Sequence, residues 1–591
     1  MSRTSKDETV EKHETVIGSE DGDIEDDKIT TKTILAILAL ILMFEAYLFT
    51  LVMPAAVLQY INADLGPDPR TPWISITWNL GASIIVTIGS RLSDIFGRRW
   101  FLLTGAIAAT IAAVIGATGQ SINQMIVAGV LFGFGGGFQE MCFACAQELV
   151  PKKYRFRVLG AMIFANHLSS FGPLIAYAFI AHTQIGWRAC YWFCFAIEGL
   201  TVIMLFFFYH PPTFETKHSE DHKTKLQLLK EIDYVGLLLF TGGCLILLIA
   251  LVWGNGIHPW KSAWVIGPIV VSIVTFVALG FWEAYAPLKY PILPPHLFVQ
   301  WRRYSQSQDT LTIWPGKADA FRFTSFLVVC FVAGTLYYSL NVIWPRQSAL
   351  LFIPPNNTII RGVYANMVSF GTVAACWYCL IIMPWIKHEK YQLIGMIVCQ
   401  TALIGSMSTV GINDKTQAIA TVIATATVNL PPSPLSFGMV SLHLTDQNDI
   451  GVAVGLISTF RLIGGAVATA IYTSIQTSRF TELLPGNVRN AAMATGFNGN
   501  MPALLTAARA NTAVAYKAVP GLTNSTMAAV VIAVKESHSQ GYRMVYLVAI
   551  AFGAIAITAA CTVKGIDENQ RTSEVAAHLE NEKSAPKFAG P

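Results

Sequence analysis

Four ionisable side chains stand alone inside long apolar runs: Glu45, Glu140, His167 and Glu198. Each such residue costs on the order of 3 kcal/mol at a membrane-helix centre, so it faces a bundle interior, a partner or a wet cavity rather than lipid. A lone carboxyl in a low-dielectric cavity can take a proton from one side of a membrane and give it to the other. Glu45 is the strongest candidate for that chemistry, with local hydrogen bonding that holds its helix in place as the alternative. Glu140 and Glu198 are of the same kind, and His167 can relay protons near neutral pH or serve as a hydrogen-bonded packing residue. Arg461, inside another apolar run, needs an acidic or anionic partner, and Gly464 and Gly465 beside it allow close helix approach.

The elements that position these residues are membrane helices. The chain has 591 residues, 53% hydrophobic and 13% charged, about half the charge of an average soluble protein. Its net charge of +4 is too dispersed for a nucleic-acid partner. At about 20 residues per span, candidate helices lie near 33–57, 72–90, 100–118, 123–148, 158–181, 188–209, 234–253, 263–285, 323–344, 360–385, 391–411, 416–440, 451–475 and 541–563, fourteen in all. The ten cysteines fall within apolar runs, and no His/Asp cluster accompanies Cys142 with Cys145 or Cys376 with Cys379, so no metal site is expected.

Basic residues cluster in alternate loops: Arg91, Arg98 and Arg99; Lys152, Lys153, Arg155 and Arg157; Lys217 to Lys230; Lys289 to Arg303; Lys387 and Lys390. That alternation makes those loops and both termini cytoplasmic. The chain then divides into a disordered cytoplasmic tail (1–32), a six-helix half (33–209), a linker with two extra helices (210–286), a cytoplasmic loop (287–322), a second six-helix half (323–563) containing a long extracellular loop (476–540), and a cytoplasmic tail (564–591). Asn356 and Asn524 head Asn-x-Thr/Ser triplets on the outer face and are glycosylation candidates.

The segment Ser90 to Arg99 places an acid, a glycine and paired arginines at a membrane border. It resembles the signature loop between helices 2 and 3 of the major facilitator superfamily, matched by Leu92, Asp94, Gly97, Arg98 and Arg99, with Ser90 where glycine is usual. Glu45, nine residues before Pro54, is similar to the helix 1 acid of the fourteen-span drug:proton antiporter branch, although Tyr47, Thr50 and Met53 depart from that motif. Gly172-Pro173 resembles the antiporter kink of helix 5, with Ala176 and Tyr177 replacing its later glycines. Glu148 and Arg155 repeat the acid and base spacing at the inner end of helix 4, which implies an ion-pair set there. Residues 455–470, with Arg461, are similar to helix 13 of fourteen-span members.

Glu148 to Pro151, Gly186 to Arg188, Tyr290 to Phe298 and Trp344 to Gln347 resemble the fungal trichothecene efflux group, a cousin of siderophore iron transporters. The resemblance implies an all-helical major facilitator fold of two six-helix halves plus two linking helices, with the substrate site at midplane. It implies export of a small hydrophobic toxin, drug or secondary metabolite by alternating access, in a plasma membrane, driven by protons and without a cofactor. Trp78, Phe138, Trp377 and Tyr378 are candidates to touch such a ligand. The absence of a P-loop argues against ATP, and no polar cluster has the density of an enzyme site. Siderophore uptake is the alternative within transport, and a non-transporting nutrient sensor a remote one.

Overall fold

The structure, a computed structural model, describes residues 29–66, 68, 70–71, 73–212, 224–254, 258–298, 323–353, 358–444, 446–577 and 579. Twelve of its helices are long and apolar enough to cross a membrane: α1 (Thr31–Leu65), α2 (Trp73–Phe96), α3 (Arg98–Ala117), α4 (Ile122–Glu148), α5 (Lys152–His182), α6 (Arg188–Phe208), α7 (Tyr234–Leu251), α8 (Ala263–Tyr285), α9 (Phe323–Leu351), α10 (Ile360–Ile386), α13 (Ile450–Ala494) and α14 (Asn524–Thr562). Among the described residues, two of the fourteen expected spans thus fall short of that length and apolarity. Where 391–411 and 416–440 were expected to span, the chain is helical but more polar or broken. α11 (Glu389–Met407) carries Glu389, Lys390, Gln392 and Gln400, and α12 is split into Lys415–Asn429 and Pro432–His443 by a proline-rich step. Proline lacks the N–H that would continue the ladder.

Neighbour relations nevertheless repeat between the two sets of six. In the first, α2 packs on α4, α3 on α4 and α6, and α1 on α5 and α6. In the second, α10 packs on α12, α11 on α12 and α14, and α9 on α13 and α14. The linking pair α7 and α8 pack on each other, and α7 touches α2 and α13. Asp233 caps α7 by accepting from the Gly236 N–H, and its same oxygen accepts from the Trp282 indole of α8, both at 2.8 Å.

Small residues set how closely the helices approach. A side chain at Gly133 of α4 would meet the Trp78 carbonyl of α2, and one at Gly81 would meet the Gly133 backbone. Because lipid tails are as apolar as the side chains, no hydrophobic force draws membrane helices together, and such backbone contact is a main source of their association. Gly97, at φ 94°, lets α2 turn directly into α3, a conformation that penalises any residue with a Cβ.

The segment 476–540 is not the long loop expected. α13 runs for 45 residues and α14 for 39, about 65 and 60 Å at 1.5 Å per residue, roughly twice a bilayer's hydrocarbon core. Between them lie short helices Met501–Ala510 and Ala513–Lys517, and a separate apolar core of Leu484, Val488, Leu504, Val530 and Val534. The excess length is thus a folded cap, whose apolar residues bury against one another. The 305–320 polar stretch and Asn356 lie outside the described residues, as do 1–28 and most of 287–322 and 580–591. Asn524 is exposed in the first turn of α14, behind the Thr523 cap.

Replacing Gly133 by Ala should force α2 and α4 apart and destabilise the detergent-solubilised protein by about 1–3 kcal/mol. Gly280→Ala, at a site with nothing within 4 Å, should leave the melting temperature unchanged or slightly raised.

Candidate functional site

The candidate site lies where the two halves meet. Arg461 lies eleven residues into α13 and Glu45 fourteen into α1, about 17 and 21 Å along helices of 1.5 Å rise, near mid-depth of a bilayer. The Arg461 guanidinium donates to Glu140 Oε1 of α4 at 3.1 Å, with both side chains buried. It also sits over the rings of Tyr337 and Tyr338 of α9, at 5.4 and 5.5 Å. Gly464 and Gly465 make this possible: they lie against the Phe331 backbone and the Tyr338 ring, while Gly334 of α9 lies against the Arg461 backbone. The acid that Arg461 requires is therefore supplied by the other half.

Glu45 has no cationic partner among the described residues. One carboxylate oxygen accepts the Ser169 backbone N–H at 3.1 Å, and the other is buried without a hydrogen bond. The local sequence of α5 produces that donor. α5 is broken after Ala165 and again before Gly172, and Asn166 ties the intervening turn by accepting from the Ser169 and Ser170 hydroxyls. Gly172 lies against Val52 of α1, so the Gly172-Pro173 element brings α5 close enough for Ser169 to reach Glu45.

The remaining candidates are dispersed. Glu198 accepts from Gln139 at 2.7 Å and so fastens α6 to α4 within the first half. His167 keeps Nδ1 2.9 Å from the Phe164 carbonyl and packs between Phe164 and Trp377, without joining the carboxylates in a relay. Of the aromatic candidates, Trp78 reaches the centre, 5.2 Å from the Tyr47 ring. Phe138 fills the seam between α2 and α3 against Gly89 and Gly105, Trp377 is half exposed, and Tyr378 bonds Gln392. Tyr47, Tyr337, Tyr338, Asn166 and Ser169 were not singled out from sequence. The adjacent tyrosine pair Tyr337-Tyr338 inside an apolar run was the available signal.

The signature loop closes one end of the bundle. Arg98 pairs with Asp94 at 2.6 Å and with Glu148, its guanidinium 3% exposed. Gly451 of α13 lies directly against Asp94 and Arg98, and Gly455 against Ser90. The glycine missing at position 90 is thus offset by one on the facing helix. Thr87 and Thr459 share a hydrogen bond of 2.5 Å, and Arg91 approaches Asp449 at 3.9 Å.

The expected ion-pair set of Glu148 with Arg155 is corrected: Glu148 takes Arg98. Arg155 donates instead to the Ser441 carbonyl at 2.8 Å and Gln447 Oε1 at 2.7 Å, both in the second half, and to the Gln147 carbonyl at 3.1 Å. Leu92 is half buried, and Arg99 turns away from the closed end to the Phe206 carbonyl and ring of α6.

Truncating Arg461 to Met leaves Glu140 buried without a counter-charge and should cost about 3–5 kcal/mol. Adding Glu140→Gln should recover much of that loss, a coupling readable in melting temperatures of the single and double variants.

The sequence matches the fungal trichothecene efflux pump (TRI12) family over residues 13–589. It is 27% identical over 527 residues to a trichothecene efflux pump of Fusarium sporotrichioides, covering 88% of this chain and 84% of that one. Identity to the corresponding pump of Trichoderma arundinaceum is 28% over 538 residues, with 87% and 83% covered. The fold is similar to that of the major facilitator proton:xylose symporter XylE, with a TM-score of 0.51, 12% identity, and 92% and 98% of the chains covered. A peptide transporter of the POT family gives a TM-score of 0.50, 12% identity, and 90% and 98% coverage. With a closed signature loop at one end, a charge pair spanning two helical halves and a family match along nearly its whole length, this chain belongs to the fungal trichothecene efflux pump family of major facilitator membrane transporters.

Proposed function

We propose that the protein exports a small hydrophobic toxin, drug or secondary metabolite by alternating access, with protons flowing inward through Glu45 as the energy source. The observation that carries this reading is the contrast between two buried carboxylates. Glu140 is neutralised by Arg461, whereas Glu45 has one backbone hydrogen bond and an unpartnered oxygen at the junction of the halves. A group so placed changes charge when its surroundings change from dry to wet, which is the requirement for coupling a proton to a conformational switch.

In this reading the signature-loop end is cytoplasmic, since it carries the basic loops, and the conformer is closed on that side. Opening it separates α2 from α13 and parts Arg155 from Ser441 and Gln447. Glu140 and Arg461 belong to different halves, so the same rocking loosens their pair and presents the two charges and the Tyr337 and Tyr338 rings to an entering ligand. Aromatic faces and a few polar groups suit a compact, mostly apolar molecule. Protonation of Glu45 from outside and ligand binding from inside then favour opposite states, which makes the exchange obligatory. The names of the two efflux-pump relatives support a trichothecene-like substrate class, and a plasma-membrane location places the exit outside the cell.

Glu45→Gln keeps the size and hydrogen-bonding capacity of the side chain but cannot lose a proton. Cells carrying the wild-type chain should accumulate less trichothecene or dye than cells without it, and a protonophore should abolish the difference. The Gln variant, at normal abundance, should lose about 10²-fold or more of the export rate. Full protonophore-sensitive export by Glu45→Gln would overturn the assignment, and raised ferric-siderophore accumulation would reverse the direction.

A further inference from the structure

The chain leaving α14 does not hang free of the bundle. It crosses the closed end and is fastened to both halves. On the second half, the Gly565 carbonyl faces His443 Nε2 at 3.3 Å, Glu568 pairs with Lys387 at 3.1 Å, and Arg571 pairs with the buried Glu389 at 2.5 Å. On the first half, the Arg571 guanidinium lies over the Phe156 ring, and three backbone hydrogen bonds follow. Lys153 N–H donates to the Thr572 carbonyl and Lys152 N–H to the Glu574 carbonyl, both at 3.2 Å, and Ala577 N–H donates to the Glu148 carbonyl at 3.0 Å. Lys152 adds a pair with Glu574 at 2.7 Å, Lys153 donates to the Ser573 hydroxyl at 3.1 Å, and Leu579 is buried in the main core. Lys152 holds the Glu574 carboxyl below the usual range, as Lys387 does that of Glu568.

We propose that residues 564–577, with Leu579, form a latch that holds the signature-loop end shut and must detach from the α4–α5 turn for that end to open. The tether starts on α14, in the second half, and ends on the first, so any motion that separates the halves here stretches it. Its last attachment is made to the residue at the centre of the closed end: the Glu148 side chain holds Arg98, and the Glu148 carbonyl holds Ala577. Opening therefore breaks the strap and the signature-loop pairs together, and strengthening or weakening the strap shifts the balance between states without touching the ligand. The exposed ion pairs at its rim contribute little by themselves and are screened by salt. The backbone bonds and the buried Leu579 carry the attachment.

The inference rests on alternating access as read above, but not on its substrate or its proton, so the test follows opening rather than transport. Ser441 is buried at the closed end and bonds only its own helix through its hydroxyl. With the exposed Cys399 and Cys561 changed to Ser, Ser441→Cys reports opening through its reaction with a membrane-impermeant maleimide in inside-out vesicles. Ending the chain after Asp567, or placing Pro at Ala577 to remove one N–H, should raise the labelling rate several-fold, with the larger effect from truncation. Linking Lys153→Cys to Ser573→Cys by a short thiol cross-linker should slow labelling below that of the uncut chain. Unchanged labelling in the Ala577→Pro and cross-linked proteins at normal abundance would overturn the proposal, even if export itself proved to be proton-driven.

Discussion

A charge at mid-depth in a bilayer must be met by an opposite charge, and this chain meets the requirement between its halves rather than within one. Arg461 and Glu140 are each too costly to leave alone in the dry interior, where the loss of one partner is far more destabilising than the pair is stabilising. The helices around them are arranged accordingly. Gly334, Gly464 and Gly465 let α9 and α13 touch so that Tyr337 and Tyr338 can lie under the guanidinium, while the glycine run of α4 packs that helix closely against α1, α2 and α3 of its own half. In the proposed alternating-access cycle, a pair that spans the interface makes the closed state depend on the halves being together, which would give the transporter two discrete states instead of a continuum.

The same logic is repeated, with weaker bonds, at the signature-loop end. There Arg98 is shared by Asp94 and Glu148 inside the first half, while Arg155 reaches across to backbone and amide acceptors of the second. In the proposed cycle, ion pairs kept within a half would stay intact as the halves part, and the crossing contacts are mostly hydrogen bonds to neutral groups. Hydrogen bonds of that kind are individually worth about 1 kcal/mol and exchange readily with water, which suits an interface that breaks and reforms. Glu45 differs from all of these in having no counter-charge to hold it in one ionisation state.

Much of this was legible in the sequence, and the parts that were not have physical reasons. The span periodicity, the isolated Glu45 and the need of Arg461 for an acid followed from residue type and depth, and the signature loop from its resemblance to a known motif. Which acid answered Arg461 did not, because a partner 321 residues away is fixed by helix packing that no local pattern encodes. Glu148 and Arg155 misled for the converse reason. Seven residues apart with Pro151 between them, they are near in sequence, but the turn after α4 points them toward different partners. Charge counting sees a polar 476–540 as loop, whereas α13 and α14 continue through it because helices extending beyond the bilayer can bury a small core of their own. The weak spans α11 and α12 were placed correctly as helices but carry more polar side chains than a lipid-facing segment tolerates, which their position among neighbouring helices accommodates.

In the proposed cycle a proton and a ligand compete for one switch, and the direct measurement is of proton movement. Purified protein reconstituted into liposomes containing a pH-sensitive dye, with no imposed gradient, would be given a trichothecene on one side only. Coupled exchange predicts that entry of the ligand drives protons out, raising the lumenal pH in proportion to ligand transported, and that the signal vanishes with a protonophore. Ligand entry at full rate with no change in lumenal pH would contradict the account.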